Sequence, residues 1–232
     1  MSTVTAAAAP VVSDAPMLEN GARMSRIEFH RLYEQTADDF RAELIGGVVY
    51  TPSPLRRSHG VYHVLMTTLF GVYVAQTPGT EAGDNASLLL GAESEPQPDL
   101  YLRIRPEFGG QSSTSPDDYV EGAPELLVEI ALSSRSPDLH AKRTDSQRYG
   151  VCEYLVLVPR PKVLVWFDLA SDRQFPSPTD RIVRPVQFPG LWLSVDAILD
   201  ENHQLALDVL HQGLATAEHQ QFVQSLAQRR RL

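Results

Sequence analysis

The most unusual setting in this chain belongs to Glu129, inside the apolar run Leu126-Leu127-Val128-Glu129-Ile130-Ala131-Leu132. Such a run reads as a strand buried on both faces. A lone carboxylate there is costly unless it is paired, protonated or bound to a metal. A strand edge, where Glu129 reaches water or meets a structural Lys, accounts for the run equally well. Asp99 changes the weighing. Pro98-Asp99 opens a second strand, through Ile104. Two adjacent strands can bring both carboxylates to one end of a sheet, where they repel and a divalent cation is their natural partner. Taken alone, Pro-Asp also simply starts a strand. The third element is Lys142. Asp138, Lys142, Asp145 and Tyr149 follow i, i+4, i+7, i+11 spacing and so share one helix face. That face can point back at the sheet end; the plainer alternative is a solvated face with an Asp138–Lys142 ion pair.

The surrounding elements must position these groups. Residues 1–22 are rich in Ala, Val, Ser and Pro without periodicity and read as a disordered leader. Order is expected from Ser25, where Ser25 and Glu28 form a capping box opening a helix to Gln35. Two β-prone runs flank Gly46-Gly47, a hairpin signal because both turn positions need positive φ. Ser58 is expected to cap a long helix that buries Val61, Val64, Leu65, Thr68, Leu69 and Val72 and ends at Pro78-Gly79. Strands are expected at 88–90, 99–104, 125–132, 153–158 and 163–169. Residues 106–124, rich in Gly, Ser, Pro and Asp, read as a long mobile loop near the site. Ser136-Pro137-Asp138 starts a helix that stops at Gly150. Short helices follow at 195–199 and, amphipathic, at 218–228. This order predicts an α/β (α+β) domain with a mixed sheet over residues 23–200, and a C-terminal helical extension over 201–232.

Composition limits the classes of function. The 232 residues are 43% hydrophobic and 21% charged, which is ordinary for a globular chain. The single cysteine, Cys152, excludes an intrachain disulfide and favours a reducing compartment. No run is long and apolar enough for a membrane span, and the first 22 residues lack the Lys or Arg of an export signal. The cytoplasm is therefore the expected location. The net charge of −9 repels nucleic acid as a whole, so a nucleic-acid site requires a local basic patch. His59 and His63 are spaced for zinc, but Gly60 stands where a metalloprotease needs Glu. No P-loop, dinucleotide fingerprint or G-x-S-x-G elbow is present.

Taken in order, several stretches resemble the Uma-type restriction endonuclease family of the PD-(D/E)xK nuclease superfamily. They are Glu43 to Gly47, His59, Gln97 to Leu100, Pro124 to Ile130, Ser133 to Ser136, Asp138 to Lys142, Tyr149 to Val151, Glu153-Tyr154 and Phe188 to Trp192. The resemblance spans Ser25 to Leu199. It implies a restriction-endonuclease-like core with flanking helices, and Asp99 and Glu129 as ligands of Mg²⁺, with Mn²⁺ as a substitute. It further implies Lys142 in place of the motif lysine, Glu43 as an additional acid, and auxiliary places for His59, Asp138 and Tyr149. The general superfamily pattern puts its lysine two residues after the acid, where this chain has Ala131. Arg56, Arg57, Arg135 and Arg143 are the expected contacts to nucleic acid. The function implied is a Mg²⁺-dependent endonuclease hydrolysing phosphodiester bonds in DNA. Self-association stays open. The rival is a non-catalytic binding or assembly module that keeps the fold, favoured by the −9 charge and Ala131; divalent-metal binding separates the two.

Overall fold

A computed structural model describes residues 18–37, 39–51, 56–131 and 137–230, with residues 137–139 in backbone alone. Arg135, the side chain of Asp138 and residues 1–17 of the expected leader lie outside that range. Residues 18–22, also expected to be disordered, are held in place. Leu18 is buried against Phe29, Leu32, Leu44 and Val49, and Gly21 N–H donates to the Val49 carbonyl at 2.8 Å.

Helix α1 (Arg26–Tyr33) begins as the capping box predicts, with the Ser25 hydroxyl accepting from the Glu28 N–H. Strands β1 (Glu43–Ile45) and β2 (Val48–Tyr50) form the hairpin around Gly46 and Gly47, at φ +56° and +77°. Helix α2 (Arg57–Gln76) starts one residue before Ser58, which therefore does not cap it; Arg56 holds the cap position without a side-chain bond. Its buried face is Tyr62, Leu65, Met66, Leu69, Phe70 and Tyr73, rotated from the expected stripe, and Val64 is exposed. The helix is apolar nearly all round, so two stripes compete, and the one carrying the large aromatics buries more surface.

Strands β3 (Thr80–Asp84), β4 (Leu88–Leu89) and β5 (Leu100–Ile104) follow, then a 3₁₀ turn at Pro106–Phe108, β6 (Ser113–Thr114) and β7 (Val120–Glu121). The segment 106–124 is thus no structureless loop. Two of its pieces pair, and β4, β7 and β6 form a small sheet. Its turn-rich composition hid strands of only two residues. Next come β8 (Leu126–Ile130), α3 (Pro137–Arg148), β9 (Glu153–Val158), β10 (Val163–Asp168), β11 (Arg173–Gln174), β12 (Ile182–Val183) and β13 (Leu193–Ser194). Helices α4 (Val195–Leu199), α5 (His203–Leu214) and α6 (Ala217–Arg229) complete the chain.

The main sheet has six strands in the order β11-β10-β9-β8-β5-β3. Only β8 and β9 pair in parallel, joined by α3 as crossover. The fold is the expected mixed-sheet α/β architecture. Leu126, Val128 and Ile130 face a core shared with α2, α4, α5 and α6. Leu127, on the opposite face, packs with Leu88, Leu90, Tyr101, Val120, Tyr154 and Val156. The C-terminal helices join the main core through Ala206, Leu210 and Leu226.

Glu125 ties the start of β8 to the turn after β5. Its carboxylate accepts the Ile104 N–H at 2.8 Å and the Gln111 N–H at 3.2 Å. Burial pushes its carboxyl up, against those backbone donors. Glu125→Ala strands both donors and should destabilise the protein by about 2–4 kcal/mol. Urea unfolding should show a lower midpoint at unchanged slope; a loss under about 1 kcal/mol contradicts the anchoring role.

Candidate active site

The antiparallel register of β5 and β8 pairs Leu100 with Val128. One residue beyond, Asp99 meets Glu129. The Asp99 carboxylate accepts the Ile130 N–H through Oδ2 at 2.6 Å, so the acid before one strand is pinned to the end of its neighbour. Its Oδ1 lies 3.0 Å from His59 Nε2, on the buried side of α2. One turn on, His63 Nε2 lies 3.2 Å from the Asp99 carbonyl, and the two imidazoles stack with centroids 6.0 Å apart.

Lys142 closes the group. Its ammonium donates to Glu129 Oε1 at 3.2 Å and lies 2.8 Å from Glu43 Oε2. Glu43 comes from β1, and its Oε1 accepts the Gln97 N–H at 2.7 Å. Four sequence-predicted residues, Glu43, Asp99, Glu129 and Lys142, therefore meet at one end of the sheet, with His59 beside them. The lysine reaches from α3 into a site that has Ala131 two residues after the acid. Helix α3 is fixed one turn further along: the Ser94 hydroxyl donates to the buried Asp145 carboxylate, and the Gly46 N–H donates to Ser94 Oγ at 3.0 Å. That clamp joins α3 to the hairpin carrying Glu43, the same two elements bridged by Lys142 and Glu43.

Burial pushes the Glu129 carboxyl up to about 8. The Lys142 ammonium pulls it down, while Asp99 and Glu43 push it further up. Desolvation opposes the charged Lys142, but the carboxylates of Glu129 and Glu43 outweigh it and hold the ammonium well above the usual lysine range. Glu125 and Glu153 show what a structural buried glutamate looks like here. Glu125 accepts backbone N–H groups, and Glu153 accepts the N–H groups of Val186 and Gln187 and the Trp166 indole N–H. Glu129 instead leans on a flexible ammonium in a site with three acids. That arrangement concentrates negative charge around a single ammonium.

The remaining predicted residues are placed differently. Tyr149 does not join the acids; its ring lies over Gly91, where an added Cβ would stand 2.3 Å from a ring carbon. Arg143 lies over the Phe167 ring at 4.7 Å, with Nη2 3.8 Å from Asp172. Arg56 and Arg57 are exposed at the start of α2. Tyr154, named in the sequence only within the matching stretch Glu153-Tyr154, is fully buried, with a hydroxyl that has no hydrogen-bond partner among the described residues. Its position in an apolar strand reads as core, and only the neighbouring carboxylates set it apart.

A mixed sheet carrying acids at adjoining strand ends and a lysine on the crossover helix defines a restriction-endonuclease-like core. The model of the Uma2 family, described as "Putative restriction endonuclease", matches residues 27–196. The chain belongs to this family. A crystal structure of "a putative nuclease belonging to DUF820" from Anabaena variabilis is similar in fold, with a TM-score of 0.59 at 14% identity. The match covers 74% of this chain and 97% of that one. Comparison with curated proteins gives no match. Family and fold together support a nuclease function at the coarse level. Among the described residues, no helix is long and apolar enough to cross a membrane.

The raised Glu129 pKa has a consequence for stability. The folded carboxyl holds its proton more tightly than the unfolded one, whose ordinary value is 4.5. Its contribution is therefore complete below pH 4.5 and is lost as pH rises through about 8. Across that window the metal-free wild type should lose stability relative to Glu129→Gln, which cannot ionise. Equilibrium unfolding of both proteins at several pH values checks this, because slopes from buried acids outside the cluster, such as Glu125 and Glu153, cancel in the difference. Parallel curves would contradict the assignment.

Proposed function

We propose that this protein is a Mg²⁺-dependent endonuclease that hydrolyses phosphodiester bonds in DNA, with Mn²⁺ able to substitute. The observation that carries this reading is the meeting of Glu43 and Glu129 on the Lys142 ammonium, with Asp99 at the adjoining strand end. Among the described residues, no group of three or more His, Cys, Asp or Glu side chains is arranged to hold a metal ion. The donor chemistry nevertheless fits Mg²⁺, a hard cation that keeps several waters and binds through one or two carboxylates. Asp99 and Glu129 would hold it, and the place taken by the Lys142 ammonium is one that accepts positive charge. When bound, Mg²⁺ supplies Lewis acidity toward the phosphate and a more acidic water.

The other steps belong to the chain's own residues. The Ile130 N–H and His59 hold Asp99 in a fixed orientation. Glu43 keeps Lys142 charged in the substrate-free site. Lys142 orients the attacking water and offsets the negative charge that develops on the phosphate. Arg56 and Arg57, exposed at the start of α2, offer cationic contacts to the nucleic-acid backbone, which is the source of affinity when the overall charge is negative.

Incubation of the purified protein with supercoiled plasmid, linear duplex and single-stranded DNA, each with Mg²⁺ or Mn²⁺, tests the reading. Wild type should cleave. Asp99→Ala and Glu129→Ala should abolish both cleavage and the calorimetric signal of Mg²⁺ binding. Lys142→Ala should still bind Mg²⁺ while turnover falls on the order of 10²–10³-fold, the size typical of a lost electrostatic stabiliser. A wild type that neither binds Mg²⁺ nor cleaves any of these substrates would leave the binding-module reading in its place.

A further inference from the structure

Three buried side-chain polar atoms lack a hydrogen-bond partner among the described residues: Ser112 Oγ, Arg143 Nε and Tyr154 Oη. The last stands out by its place. Tyr154 of β9 pairs with Leu127 of β8, and Glu129 lies two residues further along the same face. Strand spacing and rise set that diagonal at about 8 Å, a span that an aromatic side chain bridges. Tyr154 is 0% exposed. Its hydroxyl is buried in the field of the Glu129, Glu43 and Asp99 carboxylates, with the charge of Arg143 also acting on it.

A phenylalanine would fill this part of the core equally well. Among the described residues, no bond offsets the desolvation of the hydroxyl. An orphan donor beside an acid cluster calls for an acceptor, and the cluster is the acceptor-rich group at hand. In the arrangement described, Lys142 supplies the positive charge that Glu43 and Glu129 need. Any state in which that ammonium turns elsewhere leaves the carboxylates short of a donor.

We propose that Tyr154 is a positioning residue of the nuclease centre, its hydroxyl donating a hydrogen bond into the Glu43–Asp99–Glu129 cluster when Lys142 leaves it. This rests on the nuclease reading above. The hydroxyl then orients the carboxylates during the interval when the lysine serves the substrate. It touches neither substrate nor the reacting atoms.

Tyr154→Phe is the test. Removing an unpaired hydroxyl should leave Tm at or above wild type, whereas a structural bond would show as a loss. Calorimetric titration with MgCl₂ alone should give an affinity weaker by about tenfold, and plasmid cleavage at saturating Mg²⁺ should show kcat lower by about tenfold, as for other outer residues of metal sites. KM for DNA should not change. A variant with wild-type Mg²⁺ affinity and wild-type kcat overturns the proposal. Should the variant not fold, the ¹³Cζ resonance of Tyr154 in the wild type decides. It should move as MgCl₂ is added, and an unmoved resonance at saturation overturns the proposal. If the wild type itself neither binds Mg²⁺ nor cleaves, the nuclease reading fails first, and that result is distinct from an indifferent Tyr154→Phe.

Discussion

A carboxylate inside the central strand of a sheet must be compensated, and much of this fold is arranged around the compensation of Glu129. A buried ion pair is seldom a net source of stability, because desolvation consumes most of the Coulombic gain. Breaking one is another matter, since the partner is left charged and dry. Lys142 therefore depends on α3 being held where it is, by Asp145, Ser94 and the Gly46 turn. Glu43 depends on the same hairpin and on the Gln97 N–H. Asp99 depends on the Ile130 N–H, one residue from Glu129 itself. The β1–β2 hairpin, α3 and the ends of β5 and β8 thus each hold one charged group of the cluster in place.

Topology makes that meeting a short-range matter. Antiparallel pairing sets the start of β5 beside the end of β8, so an acid preceding the first strand lies next to an acid near the end of the second. The parallel pairing of β8 with β9 requires a crossover, and α3 provides it. A lysine in the crossover helix thus approaches the acids without a long excursion. This explains how a site with Ala131 two residues after the acid still contains a lysine: the ammonium arrives from above the sheet rather than along the strand.

What could be read in the sequence follows from how local the physical cause is. Glu129 stood out because burial of a charge is anomalous in any fold. Gly46-Gly47 stood out because positive φ is a local demand. The strand at 153–158 was legible from its apolar run, and it is observed with those bounds. Other elements were set by partners distant in sequence. Thr80-Glu81-Ala82-Gly83-Asp84 carries no strand pattern, yet it pairs with β5, where Gly83 makes room for the Tyr101 ring. The short strands inside 106–124 exist only because β4 offers an edge. The amphipathic helix near the C-terminus was legible, while α5 went unread although Ala206 and Leu210 lie in the main core. The convergence of Glu43 with Lys142 was given only by the family resemblance, since no spacing rule links a hairpin to a helix a hundred residues away.

The same lysine now carries two demands that conflict. As a counter-ion it must remain with Glu43 and Glu129, whose charges raise its pKa. As a group acting on a phosphate, the proposed role, it must turn outward. The three acids cannot be left without positive charge at that moment, because like charges in a poorly solvated site repel strongly. A divalent cation resolves the conflict on the proposed reading. It replaces the ammonium's charge with a larger one and frees the lysine for the substrate. The overall charge of −9 presses the same way, because a polyanion approaches such a surface only where the acids are already neutralised. Metal, lysine and nucleic acid would then be linked through one set of carboxylates, each binding event lowering the cost of the next.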